Sequence, residues 1–216
     1  MDVYASEMPD STLPPPSLRE AQAALTRRRI VDAAERLFLS DGYVGSSIAA
    51  VATGAGVSIQ TIYNSVGNKA ALLSAVLDLA ASGPAAPTPV PEFMAERVGR
   101  AGTAAEVVAV LAEWFVEVNA RTSGVWVVIR QAAAVDVEVA AVQRRRDEQR
   151  LTNYRRAAAE LRKRGALGEL SDAQAAAVIW TTGHPEAYRT LTDLGWTPED
   201  YHDLVHTTLT GALRAG

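Results

Sequence analysis

A chain of 216 residues, 48% hydrophobic and 21% charged, has the composition of an ordinary globular protein, with length for one large or two modest domains. It contains no cysteine, which excludes a disulfide framework, a thiolate metal site and a cysteine nucleophile. A formal net charge of −4 supplies no global basic field, so contact with nucleic acid would have to come from local charge placement.

No run approaches the roughly 18 apolar residues that span a bilayer, and "MDVYASEMPD" lacks the positive head and apolar stretch of a secretory signal. A cytoplasmic location without a membrane partner is expected. Residues 1–25, with "LPPPS" at Leu13–Ser17, read as a disordered tail. The pattern then turns helical. Ile30, Ala33, Ala34, Leu37 and Phe38 fall at i, i+3, i+4, i+7 and i+8, one face of an amphipathic helix closed by Gly42. Two short helices are expected at about 47–54 and 58–64, then a longer one from about Asn68 to Ser82.

The proline-rich run "SGPAAPTPVP" at Ser82–Pro91 cannot continue a helix and marks a boundary. Thr103 and Glu106 form a Thr-x-x-Glu capping box ahead of "VVAVLAEWFVEV". A segment near Gly124–Val135 leads into a long helix from about Asp136 to Arg164, which Gly165 ends. Its centre, "QRRRDEQR", is charged on every side and reads as solvent-exposed. Further helices start at Ser171-Asp172 and at Thr197, with a break at His184-Pro185. No alternating strand pattern of useful length appears. The expected fold is all-α: an N-terminal three-helix helix-turn-helix domain followed by a C-terminal helical bundle. The expected units are a tail (1–25), a helix-turn-helix domain (26–82), a linker (83–91) and a second helical domain (92–216).

Acid placement separates the two halves. The later helices begin with Glu106, Asp172, Glu199 and Asp200, as the positive end of a helix dipole favours. From Gly42 to Leu77 there is no Asp or Glu at all. At the chain-wide rate, such a stretch should hold about four. Lys69 even follows Asn68, a natural N-cap, where a cation opposes the dipole by a few tenths of a kcal/mol, roughly. A phosphate would reverse that sign, because free N–H groups and a lysine together attract an anion. Gly56 supplies the positive φ for a tight turn, Val57 plugs the corner, and Ser58 caps the next helix. Two short helices joined by such a turn, after a longer one, describe a helix-turn-helix.

Several spaced elements then agree with one family. The basic start at Arg27, Arg28 and Arg29, "DAAERLF", "DGY", "A-x-x-A-G-V-S" at Ala52–Ser58, "T-I-Y" at Thr61–Tyr63 and "N-K-A-A-L" at Asn68–Leu72 resemble the N-terminal domain of TetR-type transcriptional regulators. The resemblance covers about residues 27–80. Ser65 and Val66 stand where that family commonly has His-Phe. The resemblance implies a homodimeric repressor that binds a double-stranded DNA operator and is released by a small-molecule effector.

In a major groove, Gln60 would pair with adenine and Ile59 would pack on a thymine methyl. Thr61, Tyr63 and Asn64 are candidates for base or phosphate contacts near the Ser58 helix start, while Ile62 points inward. Ser47, Lys69 and Arg27–Arg29 would set register on the backbone. The resemblance further makes residues 92–216 an effector-binding and dimerising domain. The residues themselves offer Trp114, Trp126, Tyr154 and Trp180 at helical spacing, with Arg130 and His184 as polar contacts in an apolar pocket. Plain core burial is the simpler account of each of these aromatics. The resemblance places dimerisation at about residues 171–214, which carry the stripe Tyr201, Leu204, Val205, Thr208, Leu209 and Ala212; burial against the chain's own domain fits that periodicity too.

His202 and His206 lie at i, i+4, but no third ligand is evident, so no metal and no cofactor are expected. There is no phosphate loop followed by lysine and no local catalytic motif, so the chain reads as a non-enzyme. The competing reading is an all-α ligand-binding protein or enzyme that has lost DNA binding.

Overall fold

A computed structural model describes residues 17–85 and 88–214, and among these the chain forms ten α-helices and one 3-10 turn. Helix α1 spans Leu18–Gly45. It begins earlier than the sequence reading placed it. Ser17 and Glu20 form a reciprocal capping box, with the Glu20 N–H donating to Ser17 Oγ at 3.3 Å and the Ser17 N–H donating to Glu20 Oε2 at 2.8 Å. Those two bonds and the alanine-rich run after them carry the helix through residues 18–25, which were expected in the tail. The rest of that tail, residues 1–16, lies outside the described residues. Helix α1 buries Ile30, Ala33, Ala34 and Phe38, and its regular path breaks at Gly42, where φ is 71°.

Three shorter helices follow: α2 at Ile48–Ala55, α3 at Ile59–Ser65 and α4 at Lys69–Ser82. Each starts at a neutral cap. Ser47, Ser58 and Asn68 accept from the N–H groups of Ala50, Thr61 and Ala71 at 3.0, 3.1 and 2.9 Å. Gly56 turns the chain between α2 and α3 at φ 66°, and a Cβ there would stand 2.9 Å from the Arg29 guanidinium. The left-handed conformation calls for glycine, and a Cβ would in addition push the Arg29 tip aside.

A 3-10 turn at Gly83–Ala85 begins the connector, whose residues 86–87 fall outside the described part. The proline run ends sooner than expected, because Pro91 sits in the first turn of α5 (Val90–Arg100), where a missing N–H costs nothing. Helix α6 (Ala104–Ala133) starts at the Thr103–Glu106 capping box and continues unbroken for 30 residues. Gly124, read as the start of a separate segment, instead lets α1 approach: a Cβ there would lie 3.2 Å from the Leu39 side chain. The remaining helices are α7 (Val137–Lys163, capped by Asp136), α8 (Asp172–Thr182), α9 (Pro185–Asp193) and α10 (Pro198–Arg214).

Two hydrophobic cores result, and α6 belongs to both. Its C-terminal half contributes Val125, Val128, Ile129 and Ala132 to the core of α1–α4. Its N-terminal half contributes Val107, Leu111 and Phe115 to a second core shared with α5 and α7–α10. At 1.5 Å per residue, α6 is a rod of about 45 Å running from one core to the other. The stripe on α10 divides: Tyr201, Val205 and Leu209 are fully buried in their own core, the second of the two readings its periodicity allowed, and Leu204 and Thr208 stay outward.

Candidate DNA interface and effector cavity

Helix α3 divides sharply between its faces. Ile62 is completely buried, while Ile59, Gln60, Tyr63 and Asn64 are exposed, Ile59 by 46% and Tyr63 by 50%. Ile59 and Tyr63, four residues apart, share one outward face of the helix. Gln60 donates to Asn64 across one turn at 2.9 Å, and Ser58 and Thr61 share their hydroxyls at 2.8 Å. No acid occupies the first turn of α2, α3 or α4.

The three arginines have structural tasks. Arg27 donates to the Ser65 carbonyl at the end of α3, and Arg29 donates to the Ala55 carbonyl at the end of α2 at 2.7 Å. Both cations thus satisfy orphan carbonyls at negative dipole ends. Arg28 pairs with Asp32 at 2.8 Å on the exposed side. Val66, one of the two residues that depart from the family pattern, packs against the first core.

Lys69 is the first residue of α4, as read from the sequence, but its ammonium group lies 4.3 Å from the centre of the Tyr43 ring. Burial holds its pKa below the usual lysine range, and Asp136 opposes that drop. Tyr43 in turn donates to Asp136 Oδ2 at 2.8 Å, which keeps the Asp136 carboxyl below its ordinary range. Burial, followed by that hydrogen bond, pushes the Tyr43 phenol up. Asn68 donates to Glu138 Oε2 at 2.7 Å. The end of α1, the start of α4 and the start of α7 are therefore tied in one polar cluster, a connection with no local signal in the sequence.

The opposite end of α4 meets the second half of the molecule. Arg121 on α6 donates to the carbonyls of Ala80 and Ala81 at 2.9 and 3.1 Å, capping α4 at its C-terminus. Arg146 on α7 donates to Ser74 at 2.8 Å and to Asp78 at 2.6 Å. Between α4, α5, α6 and α7 lies a cavity of about 660 Å³, walled by Leu77 and Ala81 of α4, Met94 and Val98 of α5, Leu111, Trp114 and Trp126 of α6, and Tyr154 of α7. Polar groups on the wall include Asn119, Thr122, Arg146 and Arg150. Asn119, almost fully buried, donates to the Gly183 carbonyl and to Tyr201 Oη, both at 3.3 Å, and Tyr201 donates to the Thr182 carbonyl at 2.8 Å.

Of the six residues expected in a pocket, Trp114, Trp126 and Tyr154 line this cavity. Trp180 and His184 do not: Trp180 packs edge-on to Tyr154 at 6.1 Å between ring centres, and His184 packs on Trp180 at 5.7 Å. Burial, then the charge of Arg150, holds His184 below its usual pKa. Arg130 forms an ion pair with Glu186, half exposed, away from the wall. Trp126 is the last residue of α6 on the wall, and Arg130 lies one turn beyond it. The segment "QRRRDEQR" also needs correction, since Arg146 and Arg150 both face the cavity wall. Every neighbouring position is also polar, so nothing in the sequence singled these two out. His202 and His206 stack on α10 with ring centres 6.1 Å apart.

A helix-turn-helix head is thus joined through one long helix to a cavity-bearing helical body. The comparisons agree with it. Residues 30–76 match the model for bacterial regulatory proteins of the tetR family. No curated protein matches the chain in sequence. Among solved structures, the chain is similar to NalD, the secondary repressor of the MexAB-OprM multidrug efflux pump in Pseudomonas aeruginosa, at 19% identity over 89% of this chain and 98% of that one, with a TM-score of 0.70. It is also similar to the transcriptional regulator FadR of Bacillus subtilis, solved with stearoyl-CoA, at 21% identity over 86% and 98%, with a TM-score of 0.66. A protein described as a TetR-family transcriptional regulator from Rhodococcus sp. shares 16% identity over 88% and 99%, with a TM-score of 0.67. The chain carries the tetR-family helix-turn-helix domain and has the fold of that family's transcriptional regulators. No described helix is long and apolar enough to cross a membrane.

Proposed function

We propose that the chain is a homodimeric transcriptional repressor that leaves its operator when a small molecule enters the cavity between α4 and α7. One observation carries this reading: α4 is a wall of the cavity along Leu77, Asp78 and Ala81, and the same helix begins at Asn68 and Lys69. A ligand that displaces α4 at one end therefore moves the start of that helix at the other. Packed helices shift as bodies, so a small displacement is transmitted along 14 residues.

In this reading residues 26–82 bind DNA, 83–91 connect, and 92–216 bind effector and partner. Ile59, Gln60, Tyr63 and Asn64 meet base edges or nearby backbone, with Ser47, Ser58, Thr61 and Arg28 beside phosphates. Arg27 and Arg29 act by bracing α3 and α2. Lys69 reaches phosphate by leaving Tyr43, so its contact is coupled to the Tyr43–Asp136 cluster. The outward Leu204 and Thr208 of α10 support dimerisation through that face.

The test is capture and sequencing of genomic fragments, followed by affinity measurements over a salt series. Binding should weaken steeply with salt, and Lys69→Ala should flatten the logarithmic slope by about one unit. Salt-independent binding, or no enriched fragment, would sink the proposal.

A further inference from the structure

Arg150 stands apart from every other charged group on the cavity wall. Its side chain is only 17% exposed, and Nη1 and Nη2 are both buried without a hydrogen-bond partner. The guanidinium sits among three rings, 4.6 Å from the centre of Trp180, 5.3 Å from Trp126 and 5.9 Å from Tyr154. The nearest carboxylate, Asp147, is 4.0 Å away, beyond hydrogen-bond range; burial raises its pKa and the charge of Arg150 lowers it. The other charges on the wall are engaged elsewhere. Arg146 holds Asp78 and Ser74, Glu160 holds Lys163 and Arg164, and Arg156 is exposed.

A buried cation with unpaired donors is costly, because those N–H groups have lost water and gained no acceptor. Resting on the reading of this cavity as the effector site, we propose that its ligand is an apolar molecule carrying one carboxylate, and that Arg150 is the residue that binds the carboxylate. The planar fork of a guanidinium matches two carboxylate oxygens, and such charge-assisted pairs are strongest where water is excluded. The body of the ligand lies against Leu77, Met94, Val98 and Leu111. At about 660 Å³ the space suits a drug-sized molecule and far exceeds an inorganic anion.

A cationic ligand is disfavoured by the same geometry. The ring faces that would attract it already hold Arg150, and a second positive charge would be repelled. A neutral ligand offers Arg150 at most a neutral acceptor, without the opposite charge or the paired oxygens of a carboxylate. Because the rings cover both Nη atoms, the guanidinium turns toward the cavity as the carboxylate enters.

The experiment is calorimetric titration of the full chain with decanoate and 2-naphthylacetate, against decan-1-ol, 2-naphthaleneethanol and decyltrimethylammonium. At least one carboxylate should bind about tenfold or more tightly than its alcohol, and the cation should bind least. Arg150→Met keeps the apolar stem and should weaken the carboxylate by about tenfold to a hundredfold while the alcohol changes by less than about threefold. Arg150→Lys, which keeps the charge without the fork, should fall between, and it serves as the reporting variant if the methionine form fails a thermal-unfolding check. Equal binding of acid and alcohol, tighter binding of the cation, retained acid preference without Arg150, or no binding by either carboxylate overturns the proposal. DNA binding is measured in parallel. Carboxylates that bind through Arg150 yet leave fragment binding unchanged refute the effector reading and not the ligand class; a fragment released equally by acid and alcohol does the opposite.

Discussion

Replacing Tyr43 by phenylalanine isolates the link between the DNA-reading end of the molecule and its body. The ring would remain, with its packing on Phe38 at 5.8 Å between centres and its contact with Lys69. Only the 2.8 Å bond to Asp136 would go. A hydrogen bond to a charged acceptor is worth roughly 1.5–3 kcal/mol when fully enclosed. Tyr43 is buried, but Asp136 is partly solvated and can recruit water when the phenol leaves. The expected loss is therefore about 1–2 kcal/mol. Urea unfolding measures it directly. Asp136→Ser supplies the second arm of a cycle, because serine still caps α7 but is too short to reach Tyr43. In the serine background Tyr43→Phe should cost almost nothing, leaving a coupling energy of about 1 kcal/mol or more. A single-mutant cost below about 0.3 kcal/mol, or the same cost in both backgrounds, would show that the hydroxyl does not hold the two parts together.

Gly183→Ala should destabilise the second core by about 1–3 kcal/mol in thermal or urea unfolding, since overpacking is costly. Its φ of −89° suits any residue, but a Cβ there would come within 2.4–2.6 Å of the Phe115 ring, which is fully buried; an unchanged midpoint would contradict that close fit. His184 has a pKa lowered mainly by burial and then by Arg150, so the unfolded chain takes up a proton that the folded chain resists. The stability it contributes is complete above its unfolded pKa of about 6.5 and is lost as pH falls through the lower folded value. His184→Asn keeps a cap for α9 and should lessen the drop in urea midpoint between about pH 7 and 5; an identical drop would remove His184 from the account. Leu204→Arg, on the 39% exposed outward position of α10, should lower the sedimentation-derived mass toward one chain without shifting the unfolding transition of its core; a mass unchanged from the parent would place any dimer interface elsewhere.

The helical class, the tight turn at Gly56, the caps at Ser58, Asn68 and Thr103, and the inward Ile62 were all legible along the chain. Each depends on contacts within about four residues, where spacing and cap chemistry suffice. The resemblance supplied the family, and the acid-free stretch from Gly42 to Leu77 already pointed to an anionic partner. Contacts between distant segments were not legible. The early start of α1 depended on a cap in a run dominated by prolines, and α5 was hidden behind the same composition. Gly124 looked like a break because its partner, Leu39, is 85 positions away in the chain.

The tertiary structure alone decided which charges face inward. In "QRRRDEQR" every position is polar, so no periodicity distinguishes Arg150 from its neighbours. Only the convergence of α6, α7 and α8 places Trp126, Tyr154 and Trp180 around it and leaves its donors without an acceptor. Burial is a property of the packed assembly of helices, and a one-dimensional pattern reports it only where polar and apolar positions alternate.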